Sequence, residues 1–218
     1  MGYVLIEAYG GDGNLKRDIT VSEAEWESGQ LSLIDDEDYR REMGIFKIVS
    51  TIYIGTANVI SGRIVTSYDE TGSLISTEEY NGELKMVKAD KICYDKSKAV
   101  GFYVVAVKSC DTGLSVSIEM EFKNENAACK FEALLLEYQE DEESEEPSVL
   151  DKRAEMWRAN SYNENFLEVS FNFDALSEKP YTVEVSFEVL ENGAAADTFK
   201  VTALGVYAAT AEIDETEE

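Results

Sequence analysis

Leu114-Ser-Val116-Ser-Ile118-Glu-Met120-Glu-Phe122 alternates apolar and polar side chains without a break. In an extended chain successive side chains point to opposite faces. Every large apolar group of this run therefore lies on one face, and every Ser or Glu on the other. Leu167-Glu-Val169-Ser-Phe171-Asn-Phe173 and Tyr181-Thr-Val183-Glu-Val185-Ser-Phe187-Glu-Val189 repeat the pattern. Half-buried strands of this kind build antiparallel sheets with one face on a core. Val100-Gly-Phe-Tyr-Val-Val-Ala-Val107 is apolar throughout and reads as a central strand buried on both sides.

Turn signals separate these runs. Asp69-Glu-Thr-Gly72, Asn81-Gly82, Asp111-Thr-Gly113 and Asn192-Gly193 are hairpin chemistry, and Pro180 stands where a strand begins. Helical signals are few. Ser22-Glu-Ala-Glu25 has capping-box spacing and predicts a short helix through Glu27, ending at Gly29. Asp35-Asp-Glu-Asp-Tyr-Arg-Arg-Glu-Met-Gly44 places acids first, bases later and Gly last, the order a helix dipole favours. A third helix is expected from Ser148 to about Ala159, with Val149, Leu150, Ala154 and Trp157 as its apolar face. The fold class expected is all-β: an antiparallel, jelly-roll-like β-sandwich of two tandem or closely packed modules with a few short helices.

Glu140-Asp-Glu-Glu-Ser-Glu-Glu-Pro147 carries six acids in seven residues before a proline. Such a run repels itself and cannot be buried. It predicts a first β-sandwich module over 1–139, an acidic linker over 140–148, and a smaller β module over 149–218. Two arrangements stay open for the last segment, a separate domain or a part of the same sandwich. Residues 116–138 and 183–207 also end alike, each with alternating residues, a small-residue turn and a Phe-Lys or Lys-Phe pair, the pattern of a tandem repeat.

The 218 residues hold 45 acids, 19 Lys and Arg and no His, a net charge of −26. Without His there is no Ser-His-Asp or Cys-His catalysis, and the usual zinc and non-haem iron sites are lost. The charge argues against nucleic acid and against anionic membrane surfaces as partners. No apolar run reaches membrane-spanning length, and the opening Met-Gly-Tyr-Val-Leu-Ile lacks the basic start of a signal peptide. The expectation is cytoplasmic synthesis, with release, if any, by a route such as a virion. Cys93, Cys110 and Cys129 are widely spaced and form no CxxC pair, so they read as free thiols packed as small hydrophobes. A Cys93–Cys110 bridge would need an oxidising compartment.

Arg63-Ile-Val-Thr-Ser-Tyr68-Asp69-Glu-Thr-Gly72-Ser-Leu74-Ile75-Ser76, followed by Ala99-Val-Gly-Phe102-Tyr103-Val-Val-Ala-Val107, resembles the hairpin and later core strand of jelly-roll modules of the carbohydrate-binding type. Such modules recur in phage tail and receptor-binding proteins and in bacterial surface proteins. The resemblance covers residues 45–138 and implies a β-sandwich that recognises something. It carries no binding-site motif across.

Three chemistries remain for the side chains. Hard oxygen ligands suit calcium. Asp12, Asn14 and Asp18 match the first, third and seventh positions of an EF-type loop, and Glu23 falls on the twelfth, but Arg17 replaces the Gly at the sixth. Asp35, Asp36 and Asp38 form a second cluster, and beyond calcium no cofactor is expected. A sugar or peptide platform would use Trp26, Tyr53, Tyr68, Tyr80, Trp157 and Tyr162, residue types that also fill cores. Paired carboxylates are the only acid–base option, and no spacing selects a pair. The expected function is non-enzymatic structural or recognition work in a virion (phage tail or head) or surface assembly, through protein partners or self-assembly. A free-standing glycan-binding module is the alternative, and a carboxylate-based glycoside hydrolase the third reading.

Overall fold

The computed structural model describes the chain apart from residues 1, 30, 32, 33, 35, 56, 57, 96, 97, 140–146, 160–164, 176–178 and 209–218. The protein is all-β, with 71% of the described residues in strand against 7% in helix, and the strand pairings within each unit are antiparallel. It divides into two compact units, Met1–Met86 and Val87–Glu218.

The first unit is one sheet with helical cover. Its strands are β1 (Tyr3–Gly10), β2 (Leu15–Ser22), β3 (Ile45–Ile54), β4 (Val59–Tyr68) and β5 (Leu74–Asn81), in the order β5-β4-β3-β1-β2. Val4, Ile6 and Ala8 of β1 face one way and pack with Ile45, Ile48 and Tyr68. Trp26, Leu31, Ile34 and Tyr39, from the segment between β2 and β3, close over that cluster. The segment contains α1 (Glu23–Glu27) and α2 (Glu37–Met43). Both helices begin and end as their sequences direct. Ser22 and Glu25 form the reciprocal capping box on α1. Asp36 caps α2 through the Tyr39 N–H, and Gly44 ends it in the left-handed conformation at φ 62°.

The second unit is a sandwich. One layer holds β6 (Met86–Tyr94, all but its first residue), β7 (Val100–Cys110), β8 (Gly113–Phe122) and β11 (Phe166–Asp174), in the order β6-β7-β8-β11. The other holds β9 (Ala127–Glu137), β10 (Val149–Arg158), β12 (Pro180–Glu191) and β13 (Ala194–Tyr207), in the order β10-β9-β12-β13. The alternating runs put their apolar faces between the layers. Leu114, Val116, Ile118, Met120 and Phe122 are buried from one side, and Val183, Val185, Phe187 and Val189 from the other. Rings stack across the gap: Tyr103 on Phe199 at 5.0 Å and Phe122 on Trp157 at 4.9 Å between centroids.

Strands from both sides of the acidic run pair with one another: β9 with β10 and β12, and β8 with β11. Strands β10 to β13 therefore share their sheets with strands before 140, one of the two arrangements open in the sequence. The acidic run itself lies outside the described residues. The helix expected from Ser148 is instead strand β10. Its residues favour helix, but β9 offers a full row of backbone donors and acceptors, and Trp157 reaches the Phe122 ring only from an extended chain. The apparent repeat dissolves as well. β8 and β9 lie in different sheets, whereas β12 and β13 form one hairpin through Asn192 and Gly193, at φ 51° and 82°. β7 is central as expected, yet only its Val105 and Val107 face is deeply buried, while Val104 and Ala106 differ, at half-buried.

The three cysteines are free thiols. Burial pushes the Cys129 thiol up to about 12, which leaves it a neutral packing group at physiological pH. Among the described residues no helix is long and apolar enough to cross a membrane.

Candidate binding face

The sheet of the first unit has a second face that the helices do not cover. Antiparallel register sets its rows. Tyr3 lies opposite Tyr53, Leu5 opposite Thr51, Glu7 opposite Val49, and Tyr9 opposite Lys47. Thr51 then lies opposite Arg63, and Arg63 opposite Tyr80. Val65 lies opposite Glu78. These side chains are half-buried, apart from exposed Lys47 and buried Thr51.

The rows are tied together. The Tyr3 and Tyr53 rings stack at 4.8 Å and 14°. Lys47 Nζ stands 5.1 Å over the Tyr9 ring. Arg63 Nε donates to Thr51 Oγ1 at 3.3 Å. The Tyr80 hydroxyl donates to Glu78 at 2.9 Å. Burial and then the Glu78 carboxylate push the Tyr80 phenol up to about 12. Burial, and then Glu7, raise Tyr9 in the same direction. Across β1 to β5 the charges on this face include Glu7, Asp18 and Glu78 against Lys47 and Arg63. A chain of net charge −26 thus presents a nearly charge-balanced, tyrosine-rich surface here.

The Tyr80 shift has a definite sign for stability. The folded phenol binds its proton more tightly than the ordinary value of 10.0, so its contribution is complete below that pH and fades as pH climbs towards about 12. The urea midpoint is expected to fall between about pH 9 and about pH 11, and to fall less in Tyr80→Phe. Equal slopes for the two proteins would exclude Tyr80 as a source.

Of the aromatic residues singled out in sequence, Tyr53 and Tyr80 lie on this face. Trp26 packs on the first unit's core, Tyr68 is buried in it, and Trp157 is stacked in the sandwich. Tyr162 lies outside the described residues. Tyr3, Glu7, Tyr9 and Arg63 were missed, although the odd-numbered alternation from Tyr3 to Tyr9 was a readable signal.

The acids proposed for calcium are placed apart. Asp12 accepts from the Asn14 backbone at 3.1 Å and side-chain amide at 2.9 Å, in the turn between β1 and β2. Asp18 stands on β2 opposite Glu7. Asp36 caps α2, and Asp38 pairs with Arg41. Asp35 lies outside the described residues. No group of three acids or cysteines is placed to hold a metal ion among the described residues. For acid–base work a carboxyl raised above its ordinary range is needed. The described carboxylates with a resolved shift, Asp12, Glu25, Asp69 and Glu83, are all lowered.

The chain matches no protein-family model and no curated protein. The fold and this face define an all-β protein with a tyrosine-rich sheet face.

Proposed function

We propose that the chain is a non-enzymatic structural and recognition component, of the kind used in virion tails or heads and in surface assemblies. It docks its protein partner on the tyrosine face. The observation that carries this reading is the near balance of charge on that face. Over most of an acidic chain a second acidic surface is repelled, whereas here Lys47 and Arg63 offset two of the three acids Glu7, Asp18 and Glu78. Tyrosine supplies large contact area at low entropic cost, which is why it is enriched in interfaces.

The test uses purified products of neighbouring genes and a panel of glycans against the full chain. Tyr53→Ala and Lys47→Glu change half-buried or exposed groups and should leave the melting temperature within about 2 °C. Each should weaken capture of the protein partner at least about tenfold. Binding of a glycan alone, lost in Tyr53→Ala, would move the assignment to a glycan-binding module, which the Tyr3 and Tyr53 rings also suit. Turnover of a glycan would move it to a hydrolase.

A further inference from the structure

We propose that two copies of the chain join edge to edge through β11, forming a symmetric dimer by antiparallel strand pairing. This rests on the second unit and is independent of the tyrosine face.

Among the described residues, four strands end their sheets: β2, β10, β13 and β11. Three carry devices that discourage pairing. β2 presents Lys16 and Arg17, and β10 presents Lys152, Arg153 and Arg158 with a register break between Val149 and Asp151. β13 is broken twice against β12 and contains Gly205 at φ 73°. β11 has none of these. Its nine residues run in unbroken register against β8, with no Lys, Arg, Pro or Gly.

The strand is also complementary to itself. A two-fold axis at Ser170 pairs its whole length with a second copy. Glu168 then faces Asn172, Phe166 faces Asp174, and no two like charges stand directly opposite. The core-facing residues pair as Leu167 with Phe173 and Val169 with Phe171. Leu167 and Phe173 are already fully buried, but Val169 and Phe171 are only half-buried. A second copy sets the same two side chains beside them and covers them further. Two chains of −26 repel at long range, so salt should tighten the dimer.

Sedimentation equilibrium of the full chain at about 0.15 M and about 0.5 M NaCl should give twice the 24.3 kDa chain mass, with a tighter dimer at the higher salt. Ser170 and Asn172 are both exposed on one row of β11, so Ser170→Lys and Asn172→Lys add the same charge in the same setting. Ser170→Lys sets two like charges together on the axis and should weaken dimerisation at least about tenfold. Asn172→Lys sets a positive charge opposite Glu168 of the other copy and should strengthen it. Relief of net charge alone would strengthen both. A monomer at every salt, or two variants that shift the same way or not at all, overturns the proposal. Should Ser170→Lys fail to fold, Ser170→Cys decides. Diamide should join it into a covalent dimer, and no more cross-linking than the unsubstituted chain shows would overturn the axis.

Discussion

Gly113→Ala is expected to cost at least about 4 kcal/mol, enough to unfold much of the second unit at room temperature. Gly113 opens β8 and lies opposite Asp174 at the end of β11. Its φ of 146° is a conformation L side chains rarely adopt. A Cβ there would fall 2.2 Å from the Phe173 carbonyl oxygen and 2.6 Å from the Ala175 nitrogen. Both are backbone atoms, of β11 and of the residue just after it, so no side chain can swing aside. β11 must move off β8, which opens the core where Leu114 and Phe173 are fully buried. Urea unfolding followed by tyrosine and tryptophan fluorescence measures the loss. A change below about 1 kcal/mol would mean that β11 does not press on β8 as closely as described.

Arg40→Ala should cost about 3 kcal/mol in the first unit. Arg40 is 6% exposed on α2, and its partners are carbonyls and a ring. Nε and Nη2 donate to the Gly72 oxygen at 3.1 and 3.0 Å, and Nη1 donates to the Ile34 oxygen. The guanidinium carbon lies 4.3 Å over the Tyr68 ring. One side chain thus fastens the β4–β5 turn and the segment before α2 to the same helix. Truncation leaves two carbonyls without these donors and a hole beside Tyr68. Arg40→Lys keeps the charge but not the fork, so it should recover less than half of the loss. Full recovery by lysine would show that charge alone, not the planar fork, holds the joint.

The turn that Arg40 grips is strongly built by its own sequence. Partial burial opposes the charge of Asp69. Hydrogen bonds from the Thr71 hydroxyl and from the backbone N–H groups of Ser73, Thr71 and Gly72 outweigh it and hold its carboxyl below the ordinary value. Gly72, at φ 89°, is needed both for the turn and because a Cβ would meet the Glu37 carbonyl oxygen at 2.6 Å. The turn was legible as Asp-x-x-Gly, but the approach of α2 was not.

Local chemistry determined a good deal of this protein. Period-two alternation set the strands β8, β11 and β12 and named the faces they bury. Caps set the ends of α1 and α2, and Asn-Gly set the β12–β13 hairpin. Each of these signals lies within a few residues, where side-chain periodicity and backbone conformation act directly. Tertiary structure decided the rest. Val149–Arg158 became a strand because β9 needed a partner along its edge, a requirement that its own residues do not encode. That β10 to β13 share their sheets with strands before the acidic run follows from which strands pair, and pairing partners are remote in sequence. The tyrosine face arose in the same way. Tyr3, Tyr53 and Tyr80 stand on three strands, and only the register between those strands puts them on one surface with Arg63. Charge composition predicted an acidic chain; folding set Lys47 and Arg63 where they offset most of the acids on one face of it.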